Sequence, residues 1–476
     1  VRSEALTLLG DADLAMEATV RGERVRAELT LDAPGARVLV PGRFDKPAGA
    51  PLHVHARGEH DGARTILSAL SLSLPGAHVE GDGGFDAHTH QLTAHLPHCA
   101  FEAAPLCACL PAEAARLPAR LRDATVQFAL EGGGSVDAPQ RAHVNVTGLA
   151  LRTTVGNVHG SVEVTGLAPS GRVRADLWGD VIDAEALGAM VPTSNDRRAP
   201  EDWLRLPFVD ATLRADAVRA GAYTLSSPRA EFTFAGGRLN VRALRLGVVG
   251  GTVRVEDSFV SLAGERRVEA HVRAEHLDLF ALASASGTEL SRRPNGSLDV
   301  TADVTAQGAT PEALRASASG TLHLAGINMV MHRVANPTVA VVLPLLGARE
   351  VSGGARPQRD PAHPLTVRTF DAPLRLDHGA IHTTSAITAD TDAGAITLTG
   401  TVGADDRLSL AGQIRVPPET IAQATGGARI PLDAVPVSIR VTGSTGAPRV
   451  EVDDLGATLR ALAGSRLRGI MRGIFR

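Results

Sequence analysis

Aromatic side chains are scarce in this 476-residue chain: two Trp, one Tyr and eleven Phe make up 3% of it. Leu, Val, Ile and Ala must then supply nearly all the buried area, and a surface of small aliphatic groups suits hydrocarbon better than it suits stacking on sugars or bases. Basic excess is absent as well. The formal net charge of -4 argues against a nucleic-acid partner, which would call for a basic stripe with interleaved aromatics. Lys46 is the only lysine. Cysteine is nearly missing: Cys99, Cys107 and Cys109 are an odd number that fits neither a dense disulfide framework nor a repeated CxxC metal pattern, although one disulfide among them stays open. No run approaches the roughly 20 apolar residues of a membrane span; Thr338 to Leu346 comes nearest and contains Pro344. No strand leads into GKT or GxGxxG spacing, so nucleotide binding has no support. No cofactor is expected.

What the chain has in abundance is alternation. In Gly296 to Gly308, Leu298, Val300, Ala302 and Val304 alternate with Ser297, Asp299, Thr301 and Asp303, the period of a strand with one apolar and one wet face. Thr310-Pro-Glu then predicts a short helix, with a hydroxyl at the cap and proline where no amide donor is needed. The rhythm resumes at Leu322 and Leu324, at Ile396 and Leu398, and at Leu408 and Leu410.

Taken in order, residues 1–100 predict a β-meander with turns at Gly22-Glu23, Pro34-Gly35, Asp61-Gly62 and Pro75-Gly76. Residues 101–121 predict a short helical cap interrupted by Pro105, Pro111 and Pro118, and 122–191 a second β segment. A solvated linker is expected over 192–200, a further β segment over 201–346, a mobile loop over 347–364, and a closing β segment over 365–452. Residues 453–476 predict a basic amphipathic helix with Arg468, Arg472 and Arg476 at four-residue spacing, suited to an anionic membrane surface. The expected fold is mainly β: a long curled antiparallel meander, groove-like, with a few short helices. About 30 strands at about 4.8 Å each would make a ribbon of about 140 Å, whose apolar face must be covered by a second sheet or by lipid.

Several ordered motifs resemble the C-terminal region of AsmA-like proteins: Gly251-Thr-Val-Arg-Val, Asn295-Gly-Ser-Leu-Asp-Val-Thr-Ala-Asp-Val, Thr310-Pro-Glu-Ala-Leu, Ala318-Ser-Gly-Thr-Leu-His-Leu, Asp371-Ala-Pro-Leu-Arg-Leu-Asp-His-Gly-Ala-Ile, and Val437-Ser-Ile-Arg-Val-Thr-Gly-Ser-Thr-Gly-Ala-Pro448. The likeness covers Asp210 to Val452 and weakens to strand rhythm over Leu14 to Thr165. It implies a periplasmic envelope protein of a double-membraned bacterium, held in the inner membrane by an N-terminal segment that this stretch does not include. Residue 1 is Val, and no charged segment followed by an apolar core opens the chain, so a signal peptide is not expected within it. The resemblance further implies bridge-like lipid transfer, with phospholipid acyl chains and the two membrane surfaces as partners and a role in outer-membrane homeostasis. Lining positions expected from the alternation are Leu298, Val300, Leu322, Leu324, Ile396, Leu398, Leu408 and Leu410.

Two other readings compete. A structural role in outer-membrane assembly through contacts with assembly proteins needs a closed, self-packed sheet. A metal-dependent hydrolase is suggested by Asp86-Ala-His-Thr-His90, but such enzymes need further ligands on later parallel strands, and no strand-helix rhythm provides them. His88 and His90 therefore read as outward strand positions. His53 and His55 read the same way, and His95, His98 and the three cysteines are too irregularly spaced for a zinc site. No catalytic or metal-binding residue is assigned.

Overall fold

The computed structural model describes residues 7–40, 44–110, 121–166, 171–185, 208–261, 266–285, 295–331, 365–392, 394–418, 434–444 and 447–452. The fold is mainly β, a long meander with a few short helices, in two compact units, Val1–Leu244 and Arg245–Arg476. The expected linker at 192–200, the loop at 347–364, and the C-terminal helix with Arg468, Arg472 and Arg476 lie outside the described residues.

The first unit contains β1 (Thr7–Leu9), β2 (Asp13–Arg21), β3 (Arg24–Asp32), β4 (Arg37–Val40), β5 (Phe44–Lys46), β6 (His53–His60), β7 (Arg64–Leu74), β8 (Ala77–Asp86) and β9 (Gln91–Glu102). Helix α1 (Ala103–Cys109) follows, then β10 (Thr125–Ser135), β11 (His143–Thr153), β12 (Gly156–Thr165), β13 (Arg172–Asp183), β14 (Phe208–Ala220) and β15 (Tyr223–Ala235). Strand β16 (Arg238–Val248) carries the chain over the boundary. The ladder runs β2-β3-β6-β7-β8-β9-β10-β11-β12-β13-β14-β15, mostly neighbour to neighbour through tight turns. The first turn shows why: Gly22, at φ 61°, lets Arg21 and Arg24 face each other across two residues.

One step departs from the antiparallel expectation. Strands β13 and β14 are parallel, in register from Arg172↔Phe208 to Asp183↔Arg219. A parallel neighbour needs a crossover of a dozen residues or more, which the chain between 183 and 208 provides; alternation reads the same in either direction and cannot signal the step. The small sheet β1-β4-β5 lies over part of the long one. Ala33, Ala36, Val38 and Leu52 form a buried cluster that takes in Leu31, Val54 and Leu74 of the main ladder.

The second unit contains β17 (Gly251–Ser261), β18 (Arg267–Asp278), α2 (Leu279–Ala285), β19 (Asn295–Gln307), α3 (Pro311–Ser317), β20 (Ser319–Met331) and β21 (Leu365–Asp377). It ends with β22 (Ala380–Thr383), β23 (Ile387–Thr391), β24 (Gly394–Val402), β25 (Arg407–Val416), β26 (Val435–Ser444) and β27 (Ala447–Val452). Thr310 caps α3 as its sequence predicts: its Oγ1 accepts from the Ala313 amide at 3.2 Å. Strands β22 and β23 both sit between β21 and β24, two halves of one broken strand. That ring of pairings is local, not a barrel.

The C-terminal part of this unit curls over itself. Met329, Leu365 and Val367 of β20 and β21 share one buried cluster with Ile414, Val416, Val437 and Ile439 of β25 and β26. Two strands stand between β21 and β25 in the ladder, about 14 Å along a flat sheet, so direct packing requires the sheet to bend toward its apolar face. Glycine on that face permits the bend. A Cβ on Gly412 would lie 1.9 Å from the Thr397 carbonyl oxygen of the neighbouring strand.

Candidate functional site

The register of the second unit assembles a continuous apolar face. Val300 lies opposite Leu324, and Leu322 lies between Ala302 and Leu374. Phe370 faces Ala389, which faces Ile396; Ile387 faces Leu398. Ile396 then meets Ile414, and Leu408 and Leu410 lie opposite Val402 and Gly400. Because cross-strand partners share a side of the sheet, all eight expected lining residues fall on this one face. Each is half-buried, while Asp299, Thr301, Thr321, His323, Thr397 and Ser409 between them are exposed on the other.

The eight are not equivalent. Ile396 and Leu398 pack against the filled cluster around Ile414, whereas Leu298, Val300, Leu322, Leu324, Leu408 and Leu410 lie outside it and keep partial access to solvent. Leu374, Leu376 and Ile381 belong to the same face, with Leu376 opposite Ile381. Leu374 and Leu376 carry the alternation of Leu-Arg-Leu-Asp in the sequence, and with Ile381 of the next strand they extend the lining beyond the expected set.

The opposite face is polar and paired. His271 Nδ1 lies 2.7 Å from Asp303 Oδ1 and its Nε2 3.5 Å from Glu269, and His323 Nε2 lies 2.7 Å from Asp371 Oδ1. The hydrogen bond with Asp303, aided by Glu269, raises the His271 pKa above the ordinary imidazole value, since both carboxylates favour the charged ring. Such pairs keep the outer face polar and wetted.

The residues that suggested metal chemistry are placed differently from expectation. His88 and His90 sit in the turn between β8 and β9, not on a strand. Asp86 Oδ1 accepts from the backbone amides of His88 and Thr89, each at 3.0 Å, so the motif is an aspartate-capped hairpin turn, and the His90 ring meets Asp137. Among the described residues no group of three or more His, Cys, Asp or Glu is gathered as a metal site. The three cysteines are free thiols, and burial pushes the pKa of Cys99 and Cys109 up, away from the reactive thiolate.

Lys46 is fully buried, and sequence reasoning had no signal for it beyond its being alone. Its Nζ donates to the carbonyls of Ala36 at 2.6 Å and Ala33 at 2.9 Å, with longer contacts to Pro47 and Pro34. Desolvation lowers its pKa, and the carbonyl cage holds the loop into β4 and the strand β5 together. That arrangement is structural: its donors and acceptors satisfy one another.

No family model, curated protein or solved structure matches this chain. Among the described residues no helix is long and apolar enough to cross a membrane.

Proposed function

We propose that this chain is a periplasmic AsmA-like module that holds phospholipid acyl chains on the apolar face of its sheets and passes them between the inner and outer membranes, supporting outer-membrane homeostasis. One observation carries the reading: Val300, Leu322, Leu324, Leu408 and Leu410 share a face that is only half-buried, although their sequence pattern is that of a core. Aliphatic surface left in water costs about 25 cal/mol per Å², and each acyl CH₂ laid against it recovers up to about 0.8 kcal/mol. Unbranched tails fit a lining that is almost wholly aliphatic, with Phe370 beside the Ile414 cluster as an aromatic exception, and headgroups stay in water at the strand ends. Binding needs no reaction, so the work falls to shape and hydrophobicity.

The test is a charged pair on the open part of the face. Val300→Asp with Leu322→Asp, both away from the Ile414 cluster, removes co-purifying phospholipid while circular dichroism keeps its β signature. A variant that retains lipid at the wild-type ratio overturns the proposal.

The filled cluster at Ile414, Val437 and Ile439 favours a second reading for that end of the sheet, a self-packed scaffold that assists outer-membrane assembly through protein contacts. If the whole protein acts this way, extraction finds no stoichiometric lipid in wild type.

A further inference from the structure

Strand β2 departs from how sheets treat their edges. All nine of its residues are exposed, and Leu14, Met16 and Val20 are 67%, 70% and 66% accessible. Among the described residues its one ladder partner is β3, in unbroken register from Asp13↔Asp32 to Arg21↔Arg24. Edge strands are ordinarily blunted by proline, lysine, a bulge or an inward charge, and Asp-Leu-Ala-Met-Glu-Ala-Thr-Val-Arg has none of these on its apolar side.

The hairpin geometry identifies which backbone groups are left over. The two-residue turn closes on Arg21 and Arg24, so the amides and carbonyls of Arg21, Thr19, Glu17, Ala15 and Asp13 turn toward β3. Those of Leu14, Met16, Ala18 and Val20 point away from β3, to an edge that has no partner among the described residues. The residues with open backbone are therefore the apolar ones.

We propose that this edge pairs with the same edge of a second copy of the chain, antiparallel and centred on Glu17. In that register Leu14 meets the second copy's Val20 and Met16 its Ala18, so the four residues with open backbone exchange about eight hydrogen bonds across the twofold axis. Asp13 meets the second copy's Arg21 at both ends of the strand, a charge match that a shift of one residue pair in either direction loses. The apolar faces of the two copies become continuous across the junction. One unfavourable contact remains, Glu17 against its own copy on the solvent side. The proposal does not depend on what occupies the apolar face.

Sedimentation velocity of the full chain resolves a concentration-dependent monomer–dimer equilibrium. Ala18→Pro removes a donor that serves only the free edge, so it yields a folded monomer. Arg21→Glu and Asp13→Arg each weaken the dimer about tenfold by placing like charges opposite each other, whereas the two together restore it. Glu17→Gln tightens it. A chain that stays monomeric at every concentration overturns the proposal, as do a dimer indifferent to Ala18→Pro and charge reversals that add instead of cancelling. Lipid content measured on the Ala18→Pro protein separates the two proposals: a monomer that holds lipid leaves the acyl-chain reading standing whatever becomes of the dimer.

Discussion

Strands β26 and β20 carry the same alternating pattern, yet Val437 and Ile439 are buried while Leu322 and Leu324 are half open to solvent. β2 goes further and leaves Leu14 and Met16 in water. The difference lies in what each face meets. At β26 the sheet has curled until β20 and β21 cover it through Met329, Leu365 and Val367, whereas the face around Leu322 and Val300 lies outside that cluster. Alternation thus determines which side of a strand is apolar and leaves open what covers that side.

The comparison breaks first at the filled end. Ile414→Ala empties a fully enclosed position and destabilises the protein by about 3 kcal/mol. Leu322→Ala, on the half-open face, costs about 1 kcal/mol. Urea unfolding measures both, and equal losses would erase the distinction between core and lining. Gly412→Val is next. Its added Cβ meets the Thr397 carbonyl and forces the bend to relax, with an expected loss of about 2 kcal/mol and a less cooperative unfolding transition. An unchanged midpoint would show that the curl does not depend on that contact.

The smallest effect concerns the wet face. Since the His271 pKa is raised in the folded protein, the stabilisation from its carboxylate partners is fully present below the unfolded imidazole value, about 6.5. It is lost as pH rises through the higher folded value. His271 is 41% exposed, so solvent screens the effect and it stays small. His271→Gln should remove a slight fall in thermal stability that begins as pH rises above about 6.5. A variant with the wild-type pH profile would place that dependence elsewhere.

Much of this fold can be read before any coordinates. The turns at Gly22-Glu23, Asp61-Gly62 and Pro75-Gly76, the Thr310 cap, and the side of the sheet taken by Leu298, Val300, Leu322 and Leu324 follow from local rules about φ, capping and strand period. What the residues do not announce depends on partners distant in the chain. The parallel meeting of β13 and β14 leaves no mark on either strand, because side chains alternate identically in both directions. The cluster joining Val367 to Ile414 depends on how far the intervening strands bend, a property of many glycines and bulges together. His88 and His90 missed their expected strand because Asp86 caps the turn that contains them, a short-range hydrogen bond that outweighs the histidine spacing.

The most direct test is occupancy. Solvent extraction and mass spectrometry of the purified wild-type chain should recover phospholipid in near-stoichiometric amount, with glycerophospholipid tails protected on the face that carries Val300 and Leu322. Protein that is folded, washed of detergent and free of phospholipid would contradict the account.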